Sequence, residues 1–199
     1  MIAISKISQE EPYLLFENFY KEALQKKQTS IEAASVSSFN SNTNEVESRF
    51  VNIKYLIDQK FIFFSNYNSL KANNFQNHDQ ISLLFYWNKI DVQIRIKAKV
   101  YHSDEKFSDK HYGDRSSKKN ALAHSSKQST TVNSYESVVK NYNKVLKLND
   151  LLSSRPDYWG GFDIVPYYFE FWEGNEHRIN KRTIFKIEGK KWKKYFLSP

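Results

Sequence analysis

Two guanidiniums and an amide recur at every second position near the end of EFWEGNEHRINKR (170–182): Arg178, Asn180 and Arg182, with Trp172 further back on the same parity. As an extended strand, this segment sends those side chains to one face. Two arginines on one face repel each other unless an anion or a carboxylate lies between them. The chemistry offered by such a row is capture of an anionic group beside an aromatic ring.

His111, Arg115 and Lys119 form a second group, spaced i, i+4, i+8, and share one stripe if a single helix runs through them. On spacing alone the stripe is a solvated basic face. A phosphate dianion would make it favourable through charge-assisted hydrogen bonds. Arg49 and Lys54 bracket the strand-like RFVNIK, and Phe64 and Ser65 close a second strand. Lys71 falls in the first turn of an expected helix, where the helix dipole disfavours a cation unless an anion is bound. SKQS (126–129) is polar and carries no signal by itself.

These residues must be held by a folded scaffold, and composition supplies one. The chain has 199 residues, 40% hydrophobic and 16% aromatic, too apolar for a disordered chain. Its net charge of +8 suits a nucleic-acid binder or an enzyme for phosphorylated ligands. Cysteine is absent, which excludes disulfides, thiolate metal sites and a cysteine nucleophile. The glycines at 113, 160, 161, 174 and 189 cannot form a phosphate-cradling loop, and no histidine spacing suggests zinc, so no metal is expected. MIAISKISQEEP lacks a secretory apolar core and no apolar run approaches the roughly 18 residues of a membrane span. A cytoplasmic protein with no membrane partner is expected.

Periodicity predicts a helix over 10–27 with Leu14, Leu15, Phe19, Ala23 and Leu24 on its apolar face. Strands are predicted at 31–39, 49–57, 60–66, 80–88 and 91–103, with a tight turn at Asp58-Gln59 and a short helix after Ser69. Two or three helical segments follow between 104 and 148. Trp159-Gly160-Gly161 makes a tight turn into final strands at 162–174, 179–188 and 191–197. Short connections favour antiparallel pairing. The expected fold is α+β, an antiparallel barrel with flanking helices in one domain over 1–199.

RFVxIK (49–54), FFSNxxSxK (63–71), Trp87 with Gln93, the Arg115 region, KQS (127–129), PxxWGGF (156–162) and EFWxGxxxRIxxR (170–182) follow one another in this order. That succession resembles the pyridoxamine 5'-phosphate oxidase family, from about residue 30 to Pro199. The resemblance implies a homodimer of FMN-binding split barrels that oxidises pyridoxamine or pyridoxine 5'-phosphate to pyridoxal 5'-phosphate, with oxygen as acceptor. It places Arg49, Lys54, Phe64, Ser65, Lys71, Gln93, Gln128, Ser129, Trp172 and Arg182 at the FMN. It places Lys54, His111, Arg115, Lys119, Arg178 and Asn180 at the substrate, with Arg178 and Asn180 as the catalytic pair. The chain departs from the family pattern at three of these, where His111 replaces a tyrosine, Lys119 a serine and Asn180 a histidine, and beside Lys71, where Leu70 replaces a phosphate-binding arginine.

Other readings are a related FMN oxidoreductase with a different anionic substrate, or a flavin- or pyridoxal-phosphate-binding protein without turnover. RNA binding is a fourth, disfavoured because the aromatics fall mostly on core-facing parity.

Overall fold

The computed structural model describes residues 1–199. Its centre is the antiparallel pair β6 (Gln80–Trp87) and β7 (Val92–His102). In β7, Val92, Ile94, Ile96, Ala98 and Val100 are buried while Lys97 and Lys99 are exposed, as alternation dictates for a strand with one wet face. Long β8 (Trp159–Glu173) pairs with β7, with a register shift at Lys97/Ala98. The first half of β8 also pairs with β5 (Lys60–Asn66), and its second half with β9 (Lys181–Glu188). β9 carries β10 (Lys191–Leu197). On the other flank, β2 (Ala33–Asn40) pairs with β6, and β3 (Glu45–Asn52) with β2.

The chain itself forces this sheet to curl. β3 ends the strand order on one side, and β4 (Tyr55–Ile57) lies beside β5 near the other end. Only Ile53 and Lys54 join β3 to β4, so the two ends of the sheet must meet. Lys54 N–H donates to Ile62 O at 2.7 Å and fixes the corner. The single strand expected over 49–57 is therefore two strands with a corner, Ile53 turning fully inward. The three-residue β1 (Ala3–Ser5) joins β4 in parallel, the one departure from antiparallel pairing and too short to leave a sequence signal.

Helix α1 (Glu11–Gln25) fills the barrel with Tyr13, Phe16, Tyr20 and Ala23. Leu14, Leu15 and Phe19 are only partly buried, and Leu24 is exposed, so the inward face is rotated from the expected one. The tyrosines can go inside because their hydroxyls find partners. Tyr20 Oη accepts from Ile2 N at 2.7 Å, and Tyr13 Oη donates to Gln59 O at 3.2 Å. Phe16 meets Phe61 and Phe85 edge-on, with ring centres 4.8 and 5.4 Å apart.

Two further expectations are corrected. The break expected between 174 and 179 is present but wider, so the face read over 170–182 does not carry Arg178 and Asn180: β8 stops at Glu173 and β9 starts at Lys181. Between them Asn175 N–H donates to Asn180 Oδ1 at 3.1 Å, and Arg178 has a φ of +60° in the loop. Nor does one helix carry the basic stripe. α3 (Glu105–Gly113) holds His111, α4 (Ser117–Ser125) holds Lys119, and Arg115 lies in the link. α2 (Leu70–Asn77), α5 (Tyr135–Val145) and α6 (Asn149–Ser153) complete the fold.

Gly160 and Gly161 lie inside β8 rather than in a turn. A side chain at either would collide with Tyr67 or Ser103, and Gly161 N–H donates to Ser108 Oγ of α3 at 3.1 Å. The glycines let α3 and the turn after β5 press on the strand, which seats Trp159.

Candidate functional site

A cavity of about 480 Å³ opens where β3, β5, α2 and the α3–α4 link converge. β3 and the corner after it supply Arg49 and Lys54; β5 supplies Phe64 and Ser65; α2 supplies Lys71. His111, Arg115 and Lys119 reach it from the helical segment, and Gln128 from the loop beyond. Residues spread over eighty positions of sequence thus line one space. The break between α3 and α4 does not scatter the basic trio, because Arg115 Nη2 donates back to Lys119 O at 2.8 Å.

Five cations line the cavity and no carboxylate does. Arg49 is braced by Ser38 Oγ at 2.7 Å and by Glu47 Oε2 at 2.6 Å, just outside. Lys71 is only 6% exposed, and its Nζ reaches a hydroxyl, Ser69 Oγ at 3.0 Å, with no carboxylate in ion-pair distance. Burial, helped by Arg49, lowers its pKa to about 8. Arg115 Nη1 is buried with no hydrogen-bond partner. A buried ammonium and an orphaned guanidinium nitrogen in one space fit phosphate-bearing ligands, whose oxygens would satisfy both.

The aromatic wall is as specific as the charge. Phe64, His111 and Trp159 lie nearly parallel, with Phe64–His111 centres 3.7 Å apart and Phe64–Trp159 centres 5.5 Å apart. The Arg115 guanidinium sits 4.2 Å over the Trp159 ring. Tyr55 Oη lies 2.9 Å from His111 Nδ1. Burial, then the charges of Arg115 and Lys54, lower the His111 pKa to about 4. His111 is therefore neutral at pH 7, not the cation that its place in a basic stripe suggested. Trp159 and Tyr55 were missed as site residues; WGG and the neighbouring Lys54 were the available signals.

The remaining expected residues lie elsewhere. Gln93, Trp172 and Arg182 are cross-strand neighbours in one row over β7, β8 and β9. Ser65 faces the opposite end of β8, at Gly160. Roughly 40 Å of extended strand separates the two places. Arg182 is held by buried Glu170, whose Oε1 accepts from Nε at 3.0 Å and Nη2 at 2.7 Å. Arg178 and Asn180 stand in the loop after this row. Ser129 follows Gln128 with φ of +68°, and Gln128 Oε1 accepts from Ser65 Oγ at 3.3 Å.

A curled, mainly antiparallel sheet closing on a cavity lined by five cations defines a barrel whose corner suits anionic groups. The family profile described as "Pyridoxamine 5'-phosphate oxidase" matches residues 20–149, and "Pyridoxine 5'-phosphate oxidase C-terminal dimerisation region" matches 159–199. A pyridoxine/pyridoxamine 5'-phosphate oxidase of Haemophilus influenzae is 31% identical, covering 96% of this chain and 90% of the relative. One from Colwellia psychrerythraea is 33% identical over 94% and 87%. The crystal structure of PhzG from Burkholderia lata, in complex with tetrahydrophenazine-1-carboxylic acid, shares the fold with a TM-score of 0.89 at 24% identity, covering 96% of this chain and 93% of that one. A pyridoxamine 5'-phosphate oxidase-related, FMN-binding protein from Nostoc punctiforme aligns with a TM-score of 0.71 at 12% identity, covering 92% and 97%. The chain belongs to the pyridoxamine 5'-phosphate oxidase family and is an FMN-dependent oxidoreductase with the split-barrel fold. No helix is long and apolar enough to cross a membrane.

Proposed function

We propose that this chain, as a single cytoplasmic domain acting in a homodimer, oxidises pyridoxamine or pyridoxine 5'-phosphate to pyridoxal 5'-phosphate. The observation that carries this reading is the cavity with five cations, no carboxylate and a buried, anionless Lys71. In the alcohol reaction the substrate gives up hydride from C4' and a proton from its hydroxyl, and oxygen leaves as hydrogen peroxide. Bound FMN would supply the acceptor for that hydride and the route of the electron pair to oxygen.

The residues of the chain divide the anionic groups between them. Arg49, Lys71 and Ser65 hold the cofactor phosphate, with Lys54, Phe64, Gln128 and Ser129 as further cofactor contacts. Lys54, His111, Arg115 and Lys119 hold the substrate phosphate. Arg178 is the guanidinium over the substrate ring, and Asn180 offers hydrogen bonds but cannot exchange a proton near neutral pH. The changes at His111, Lys119 and Asn180 favour, as a second reading, a different anionic substrate in the same site. Anaerobic mixing of the FMN-loaded protein with pyridoxamine 5'-phosphate separates the two. Bleaching of the flavin, and peroxide when oxygen returns, is the expected result; a flavin that stays oxidised sends the reading to the second substrate class.

The homodimer rests on a distance. Gln93, Trp172 and Arg182 lie too far along the strands from Lys71 to close on the same cofactor in one chain, so a second copy completes each site. Arg49→Ala and Arg182→Ala are each expected to lose FMN. When the two variants are unfolded and refolded together, mixed dimers carry one doubly altered site and one intact site. About a quarter of the sites then regain FMN. A mixture that holds no more FMN than either variant alone sinks the shared site.

A further inference from the structure

Tyr55 and His111 are far apart in sequence, and the barrel corner brings them together. Tyr55 Oη lies 2.9 Å from His111 Nδ1, and Tyr55 packs edge-on to that ring and to Phe107, with centres 5.4 and 5.2 Å apart. Phe64 covers one face of the imidazole at 3.7 Å. The ring is thus fixed in plane and position, and its Nε2 has no partner within the chain. Its neighbours on the cavity side are Lys54, Arg115 and Lys119.

A phenol has one proton, and Nδ1 is the only acceptor that Tyr55 Oη meets. When Tyr55 donates to Nδ1, a neutral imidazole carries its own proton on Nε2. That N–H then stands among three cations that attract the same anion. We propose that Tyr55 is a positioning residue for substrate capture: its hydroxyl fixes the Nε2–H tautomer of His111, which makes His111 a directed donor to the substrate phosphate. This rests on the substrate-phosphate reading given above. The low basicity of His111 supports it, since burial and the surrounding cations keep the ring neutral at working pH. A neutral donor adds direction without adding a fourth repelling charge to an already cationic wall.

Nitrogen–proton correlation spectra of the histidine rings in the FMN-loaded protein test this directly. His111 is expected to show a protonated Nε2 and a bare Nδ1 at pH 7. Tyr55→Phe keeps the aromatic packing and removes only the hydroxyl, and in it the ring is expected to populate both tautomers. Inorganic phosphate serves as the anion probe, so the result does not depend on which phosphorylated molecule is the true substrate. Its dissociation constant is expected to rise several-fold in Tyr55→Phe and in His111→Phe, and no further in the double variant. An unchanged tautomer in Tyr55→Phe, or effects of the two substitutions that simply add, overturns the proposal. If phosphate binding behaves as expected while pyridoxamine 5'-phosphate is not turned over, the substrate reading fails and the Tyr55–His111 pair stands.

Discussion

Replacing Lys71 with methionine is expected to move apo stability and cofactor affinity in opposite directions. The ammonium is 6% exposed and faces Arg49 with no carboxylate beside it. Its pKa falls from 10.5 to about 8 on folding, which sets the cost of the buried charge at about 3 kcal/mol. Since the folded value is the lower one, the unfolded chain binds the extra proton between about pH 8 and 10.5, and stability rises with pH through that window. Lys71→Met removes both the cost and the rise. In the FMN-free state the variant is therefore more stable than the parent at pH 7, and the gap closes by about pH 10.5. Its FMN affinity should fall, because a lost charge-assisted hydrogen bond is worth about 1.5–3 kcal/mol, or about one to two decades. Arg49→Ala should weaken FMN similarly. Lys99, exposed and paired with Asp79 on the outer face of β7, is the control whose removal leaves FMN binding unchanged. Chemical denaturation of the FMN-free proteins and flavin titration provide the two readouts. A Lys71→Met variant that binds FMN as tightly as the parent removes Lys71 from the cofactor site.

Lys71 also shows what the sequence can disclose about such a site. Its residue type and its position at the start of a helix were enough to suggest a bound anion, because both are local properties. Strand spans were legible for the same reason. β5 and β10 lie where alternation placed them, bounded by turns at Asp58 and Gly189, both with positive φ. What could not be read depends on partners distant in sequence. The inward face of α1 was set by hydroxyl acceptors at Ile2 and Gln59, which outweighed the leucines. His111 looked cationic in a basic stripe, yet burial, with the charges of Arg115 and Lys54, makes it neutral. The break between strands ending at 174 and starting at 179 was legible, but the loop is wider, over 174–180, and takes Arg178 and Asn180 out of the shared face. There Asp91 crowds Gly174, and Asn175 and Asn180 tie the loop ends, so the strand cannot continue.

Arg182 has its counter-charge inside the protein, a carboxylate it shares with Arg95, and removing that group carries the largest expected effect on stability. Glu170 is 3% exposed. Its Oε1 takes two hydrogen bonds from Arg182, and its Oε2 takes one from Tyr168 at 3.0 Å and pairs with Arg95. Burial works to raise the Glu170 pKa, but the hydrogen bonds from Arg182 and Tyr168 and the charge of Arg95 outweigh it and hold the carboxyl below its usual 4.5. Glu170→Ala leaves two guanidiniums converging on an empty, largely dry position. Breaking a buried pair on one side costs about 3–5 kcal/mol, and the solvent contact of the Arg95 side chain argues for the lower end of that range. Arg182→Leu should cost less, since Glu170 keeps Arg95 and Tyr168. Because the folded pKa of Glu170 is depressed, its contribution is complete above pH 4.5 and is lost as pH falls through the folded value. The stability gap between parent and Glu170→Ala is therefore widest near neutrality and narrows in acid. Urea denaturation at pH 7 and at successively lower pH measures it. A gap under about 1 kcal/mol at pH 7, which is all that an exposed pair contributes, or one that stays constant into acid, would mean that Glu170 does not hold Arg182 in the row with Trp172 and Gln93.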